Sequence, residues 1–372
     1  MKIIHIITSL DDGGTEKILY NICKYDFNNQ HIVISLKSSG KYFSKLKQIG
    51  IKVYSMKMSF FSILKFFYLV KKISYIRPDI VQTWLPHADL LGSFAARLAN
   101  IKNIVWNIRY SKLEKETVSL SILILINFLS KLSYVIPKKI IVVSKSALKN
   151  CKNLGYCNYK LNLIQNGYDL SIFKPYKKKN LLRKKLKIKK NTKIIGCVAR
   201  YDATKDHLNL LNALSILKKK DINFFCILVG SNINNQFLIE KINQLGLSKT
   251  IKLINKNNEI SDFFRDIDIH VLSSKTEGFP NVVAEAMALK TPCVVTDVGD
   301  SALIVGKTGW IVPPRNSEKL SNAIEKALSE VRGAKWKKKC NLARLRIKEN
   351  FEINKMLNYY NRVWSKIFND KN

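Results

Sequence analysis

Acidic residues are scarce in this chain: 27 Asp and Glu stand against 64 Lys and Arg in 372 residues, a formal net charge of +37. A field of that sign attracts polyanions of every kind, whether nucleic acid, an anionic membrane face or phosphorylated substrates. An A/T-rich genome also enriches Lys, Ile and Asn, all abundant here, so charge alone decides no function. Paired cysteines are lacking too. The seven cysteines stand singly, several inside apolar runs such as "IIGCVAR" and "NFFCILVG", and none has C-x-x-C spacing. That excludes a zinc motif and a disulfide framework and favours reduced core thiols in the cytosol. An uninterrupted apolar run of membrane-spanning length is missing as well. The most apolar stretch, "VSLSILILINFLSKLSYVIP" (118–137), is broken by Lys131 and several polar residues before reaching the roughly 20 residues that a bilayer span needs. It reads as a buried or surface-docked helix. The opening "MKIIHII" is too short for a signal peptide and ends in a Gly-Gly loop that opens a helix, the pattern of a first βα unit.

What the chain does have is apolar residues in short, regularly spaced runs. Hydrophobic content of 47% with 10% aromatics excludes disorder as a description of the whole. A length of 372 residues exceeds what one core usually serves, so two domains are expected. Six β-type runs ("KIIHII", "HIVISL", "KVYSM", "DIVQTW", "NIVWNI", "KIIVVS") alternate with helical patterns in the first half. Another six ("KIIGCVA", "NFFCILVG", "TIKLIN", "IHVLSS", "PCVVTD", "GWIVPP") do so in the second. Such alternation implies parallel sheets covered on both faces. The basic run "PYKKKNLLRKKLKIKKN" interrupts the rhythm after residue 174. The expected organisation is therefore a doubly wound domain over 1–174, a second over 175–345, and a C-terminal helical segment, 346–372, packing back toward the first. Two doubly wound domains facing each other form a cleft, with ligands bound outside the carboxyl ends of the strands.

The stretch "SSKTEGFPNVVAEAMALKTPCVVT" sets Glu277 and Glu285 on either side of a Gly-Phe-Pro-Asn turn in an otherwise apolar segment. A strand ends before Lys275 and a helix begins just after Pro280, a residue suited to a helix start. On that helix Val282, Ala286 and Leu289 form the expected core-facing ridge, with Glu285 beside it. The backbone N–H groups from Gly278 through Phe279, Pro280 and Asn281 to Val282 carry the positive end of the helix dipole, Pro280 excepted for want of a hydrogen. Amides for an anion and carboxylates for hydroxyls suit a ligand that carries phosphates and vicinal diols. In "CVARYDATKDHLNLLNAL" a strand ends at Ala199, and Arg200 and Lys205 occupy the loop before a helix. A guanidinium fork and an ammonium at such an end are placed for a diphosphate. For the glutamates alone, preference for a helix N-terminus is a sufficient structural reason.

Together these stretches resemble glycosyltransferase family 4, retaining enzymes of GT-B fold. The resemblance runs through "LIQNGYDLSIFKP", similar to the family's domain-linking segment, then Arg200 and Lys205, then "EGFPNVVAEAMA" with its Glu-x7-Glu spacing; "DDGGTEK" near the start matches weakly. It implies that Glu285 binds the ribose of a nucleotide sugar and that Glu277, with the 278–282 backbone, holds the transferred sugar and the phosphates. Arg200 and Lys205 then stabilise the leaving diphosphate, and Gly13 and Gly14 let the first domain's backbone approach it. It further implies same-face attack without a protein nucleophile, the leaving phosphate helping to remove the acceptor's proton. One position departs from the family: where many members have an acceptor-side histidine, Arg109 stands in "NIRYS". His87 in "TWLPHADLLG" is the other acceptor-side candidate. No cofactor and no metal are expected; Asp266 and Asp268 spell Asp-x-Asp but straddle a helix-to-strand junction and read as structural.

The expected partners are a nucleotide sugar, a saccharide or lipid-linked saccharide acceptor of a surface polysaccharide, and an anionic membrane, with no specific nucleic acid. The segment 58–78 sets Phe61, Leu64, Phe67, Leu69 and Val70 on a broad apolar side with Lys65, Lys71 and Lys72 interspersed, which fits either a core-packed helix or one lying on anionic lipid. The expected location is cytoplasmic, peripheral on the inner face of the cytoplasmic membrane. Two other readings are a nucleotide-sugar epimerase of similar architecture, which needs no acceptor, and a basic nucleic-acid-binding protein, for which no recognition module is present.

Overall fold

The computed structural model describes residues 1–37, 39–58, 62–110, 119–175, 181–255 and 260–370, positions 260 and 261 as backbone only. Phe61, Val118 and positions 176–180 of the basic run lie outside these. The chain divides into two compact units, Met1–Gly167 with Ile353–Asn372, and Tyr168–Glu352.

In the first unit the elements run β1 (Lys2–Ile7), α1 (Gly14–Tyr25), β2 (Gln30–Ser35), α2 (Lys41–Gln48), β3 (Lys52–Ser55), α3 (Ile63–Ile76), β4 (Ile80–Trp84), α4 (Pro86–Leu98), β5 (Ile104–Ile108), α5 (Leu120–Leu132), β6 (Lys139–Val142), α6 (Lys145–Asn153) and β7 (Leu161–Leu163). The sheet order is β3-β2-β1-β4-β5-β6-β7, every described pair parallel. Right-handed crossovers place α1 and α2 on one face and α3 to α6 on the other, because the strand order reverses direction between β1 and β4. The inner strands β1, β2, β4, β5 and β6 are buried on both faces and read as near-continuous apolar runs, whereas the edge strands β3 and β7 are partly exposed.

The second unit runs α7 (Leu181–Lys185), β8 (Lys193–Val198), α8 (His207–Lys219), β9 (Phe224–Gly230), α9 (Gln236–Gln244), β10 (Ile251–Asn255), α10 (Ile260–Asp266), β11 (Ile269–Leu272), α11 (Asn281–Ala288), β12 (Cys293–Thr296), α12 (Ser301–Val305), β13 (Trp310–Val312), α13 (Ser317–Glu330) and α14 (Trp336–Asn350). Its parallel sheet has the order β10-β9-β8-β11-β12-β13, reversing between β8 and β11. Asp266 and Asp268 are anchors here: Asp266 accepts from the Leu182 N–H and Asp268 from the Ile194 N–H, each at 2.8 Å.

The units divide elsewhere than at the expected borders. The chain passes into the second unit at Tyr168, whose N–H donates to the Phe351 carbonyl, and leaves it after Glu352. α14 therefore belongs to the second unit, where the Arg344 guanidinium donates to the Ala288 and Phe173 carbonyls. Only the last helix, α15 (Ile353–Asn369), belongs to the first. Its apolar residues recur at helical spacing, and Met356, Leu357, Tyr360, Trp364 and Ile367 join one core with α1, α2 and the sheet. Inside that core the Trp84 indole N–H donates to His5 Nδ1, so His5 Nε2 donates to His31 Nδ1 and His31 Nε2 to Asp26. Burial, and next to it the neighbouring His31, hold the His5 pKa well below its ordinary value.

Candidate active site

The second sheet reverses direction between β8 and β11, and the loops that leave these two strands carry the residues singled out from the sequence. After β8 the chain runs through Arg200 to a short 3-10 turn, Ala203–Lys205, then into α8. After β11, Ser273 and Ser274 lead through Glu277 to α11. The loops are stitched together: the Lys275 N–H donates to the Thr204 carbonyl at 2.7 Å and the Ser273 hydroxyl to the Lys205 carbonyl at 3.0 Å.

This brings Lys205 Nζ to 2.7 Å from Glu277 Oε1, which also accepts from the Ser274 hydroxyl at 2.7 Å. The side chains of the pair keep 20% and 11% of their exposure, so solvent screens the interaction little. The 277–278 turn is held in turn by the loop after β12. Asp300 N–H donates to the Gly278 carbonyl at 3.0 Å, and Gly299 sits at φ +58, where a Cβ would fall 2.4 Å from the Glu277 carbonyl oxygen. Only glycine fits that place. Asp300 and Ser301 are buried, whereas Asp297 is exposed.

α11 opens at Asn281 with Pro280 as its cap residue. Phe279 stacks edge-on against Phe351 at 5.5 Å, and the Asn281 side chain accepts from the Tyr168 hydroxyl at 2.6 Å. The expected ridge is corrected. Val282 is half-buried, and α11 is buried all round from Val283 to Leu289, so Glu285 is 5% exposed inside an apolar helix. Arg200 is not drawn into the pair: its exposed guanidinium donates to Asp202 at 3.1 Å. Burial opposes ionisation of Asp202, but bonds from Thr204 and Arg200 outweigh it and hold the carboxyl below its usual range.

In the first unit the remaining candidates gather by the same logic, at the carboxyl ends of the neighbouring strands β1, β4 and β5. Gly13 caps α1, and a Cβ there would lie 2.2 Å from Glu16 Oε2, so the glycine makes room for that carboxylate. Gly14 follows as the first helical residue. Glu16 was passed over in the sequence, although a glutamate three residues after a cap is the capping-box position. It is buried, its pKa raised by desolvation and by Asp11 against the opposing charge of Arg109. His87 follows Pro86 at the start of α4, half-buried, its pKa lowered by burial and by the Lys37 charge. Between β4 and His87, Leu85 holds φ +76, an uncommon backbone for a branched residue. Arg109 donates to Asn166 at 2.7 Å and lies 5.9 Å from the Trp84 ring.

Among the described residues, His5, Cys23 and His31 bring metal-capable atoms within 4.8 Å of one another. Their ring nitrogens already serve the Trp84-to-Asp26 chain, and burial raises the Cys23 pKa, so the group reads as a core hydrogen-bond network.

The family model "Glycosyl transferases group 1" matches residues 178–341. The N,N'-diacetylbacillosaminyl-diphospho-undecaprenol alpha-1,3-N-acetylgalactosaminyltransferase of Campylobacter jejuni is 28% identical over 347 residues, 87% of this chain and 89% of its own. The UDP-Gal:alpha-D-GlcNAc-diphosphoundecaprenol alpha-1,3-galactosyltransferase of Escherichia coli is 26% identical over 270 residues, 71% of this chain and 69% of its own. Anabaena Alr3699/HepE in complex with UDP-glucose matches with a TM-score of 0.86 at 20% identity, over 98% of this chain and 100% of its own. That likeness bears on the fold: two parallel-sheet, Rossmann-like α/β units of the GT-B class. The family model and the two relatives support a glycosyltransferase.

Proposed function

We propose that this protein is a retaining glycosyltransferase of family 4, moving a hexosyl or N-acetylhexosaminyl group from a nucleoside-diphosphate donor to a lipid-linked saccharide in bacterial surface-polysaccharide synthesis. The observation that carries the reading is the Lys205–Glu277 pair, 2.7 Å apart at the switch point of the second sheet and beside the opening of α11. The donor's phosphates lie against the backbone of 278–282 with the Lys205 ammonium, and Arg200 exchanges Asp202 for the same charge. Glu277 orients the sugar. Glu285, on the same helix α11, takes the ribose hydroxyls.

In the transfer, the bond from the anomeric carbon to the diphosphate oxygen breaks while the acceptor hydroxyl adds on the same face. The hydroxyl proton passes to the departing phosphate. Positive charge on the sugar ring and negative charge on the diphosphate peak together, and fixed cations aimed at the latter lower the barrier more than they stabilise the ground state. His87 and Arg109 are assigned to the acceptor, and no metal or other cofactor is needed. A lipid-linked acceptor is supported by the two relatives, whose names specify diphosphoundecaprenol-linked substrates. No helix among the described residues is long and apolar enough to cross a membrane, which suits a peripheral enzyme on the inner face of the cytoplasmic membrane.

The test is transfer from a panel of nucleotide sugars to a polyprenyl-diphosphate-linked N-acetylhexosamine, with the product anomer read by NMR. Transfer with retained configuration, undiminished by a chelator, is expected. Lys205→Ala and Glu285→Ala should each lower kcat/KM at least ~100-fold, the scale for one oriented transition-state contact. Near-normal turnover in either variant would contradict the assignment, and conversion of the donor sugar with no acceptor present would favour the epimerase.

A further inference from the structure

The helices on the α3-to-α6 face of the first sheet carry apolar residues where water should select polar ones. On α3 the buried side is Leu69 and Ile73. Diametrically opposite, at helical spacing, stand Leu64 (82% exposed), Phe67 (58%) and Tyr68 (55%), with Lys71 among them. The expectation of one broad apolar side is thus replaced by two. Leu69 faces the core, while Leu64 and Phe67 face away from it. α5 repeats the arrangement: Ile126 and Leu129 are buried, and Leu120, Ile124 and Phe128 form an i, i+4, i+8 stripe on the outside with exposed Lys131. α4 packs between these two helices and adds Phe94 and Leu98.

More than half of the large exposed apolar side chains among the described residues lie on these three neighbouring helices and the turn after α5. Single exposed apolar residues need no explanation, but a patch gathered on one face does. Charge says what covers it. α3 and α5 contain no Asp or Glu, and the single acid of α4, Asp89, is buried. Lys71 on α3 and Lys131 on α5 stand exposed beside the stripes, while Lys65 and Lys72 lie on the flanks of α3, Lys72 over the Tyr54 ring, and Arg97 on α4 donates to the Val135 and Ile136 carbonyls. Apolar stripes bordered by cations on helices too short to span match the boundary between the headgroups and acyl chains of an anionic bilayer.

We propose that the outer face of α3, α4 and α5 is a docking surface for anionic lipid, into which the Leu64–Phe67 and Ile124–Phe128 stripes insert. This deepens the membrane part of the proposed function without resting on its chemistry, since lipid binding requires neither donor nor acceptor. The full chain is sedimented with vesicles of phosphatidylcholine containing 30% phosphatidylglycerol, and with vesicles of phosphatidylcholine alone. Wild type should partition to the anionic vesicles and be released by salt. Leu64→Glu/Phe67→Glu and Ile124→Glu/Phe128→Glu should each lose at least about tenfold in partitioning, and Lys71→Ser and Lys131→Ser about fivefold apiece. Phe237→Glu, an exposed apolar residue on α9, should change nothing, and unaltered melting temperatures show that the variants fold. Equal sedimentation of wild type and the stripe variants overturns the proposal. So does concentration-dependent dimerisation of wild type without vesicles that the same variants abolish, which would make a second copy the occupant. Loss of transferase activity with vesicle binding intact would count against the proposed function alone.

Discussion

Glu277 accepts from an ammonium and a hydroxyl on the same oxygen, and it sits on a turn that Gly299 and Asp300 brace from the neighbouring loop. Removing one member of a shielded ion pair costs more than the pair itself contributes, up to about 3–5 kcal/mol where the charge left behind is buried. Lys205 is therefore expected to serve both stability and catalysis, and the two roles separate in a double-mutant cycle. Lys205→Ala should lower the ligand-free unfolding free energy, and adding Glu277→Gln should recover most of that loss. Activity should remain at the level of the single variant. Denaturant titrations beside turnover assays check this; recovery of both quantities together would mean that the pair only braces the loops.

At the scale of elements, the twelve β-type runs read from the sequence are all strands, because most of them are buried on both faces and so carry near-continuous apolar residues, and that pattern is local. β7, three half-buried residues, Leu161–Leu163, was not among them: so short an edge strand has no periodicity to read. The Glu277 and Lys205 loops were legible because a strand end, a turn and a helix start lie within a few residues. Their meeting was not, since the sheet reversal that makes β8 and β11 neighbours is a fact of topology. The position of Glu16 three residues after the Gly13 cap is local and legible, whereas the Arg109 charge that acts on it comes from a distant strand end that only folding brings near. Nor does composition tell which side of α3 is turned outward, as both sides are apolar. α15 returns from the far end of the chain to cover the first sheet, where the Trp364 indole N–H donates to Gln82 at 2.8 Å inside the core. Trp364→Ala should cost about 3–5 kcal/mol of stability. A calorimetric scan resolving two transitions should show that loss in one of them, and an unchanged scan would mean that α15 contributes little to the first unit's core.

Over the whole molecule, a net charge of +37 draws phosphates to every surface, so attraction by the field must be told apart from a built site. The field is screened by salt and indifferent to which one of 64 cations is removed. A site held by one ammonium against a helix opening is not indifferent. The most direct measurement is the dissociation constant of UDP, GDP and ADP by titration calorimetry at physiological salt, for wild type, for Lys205→Ala and for Lys131→Ala as a charge-matched control on α5. One nucleotide should bind wild type and the Lys131 variant alike and weaken at least about tenfold, 1.4 kcal/mol, in the Lys205 variant. Equal weakening in both variants, or in neither, would contradict a donor site at the opening of α11.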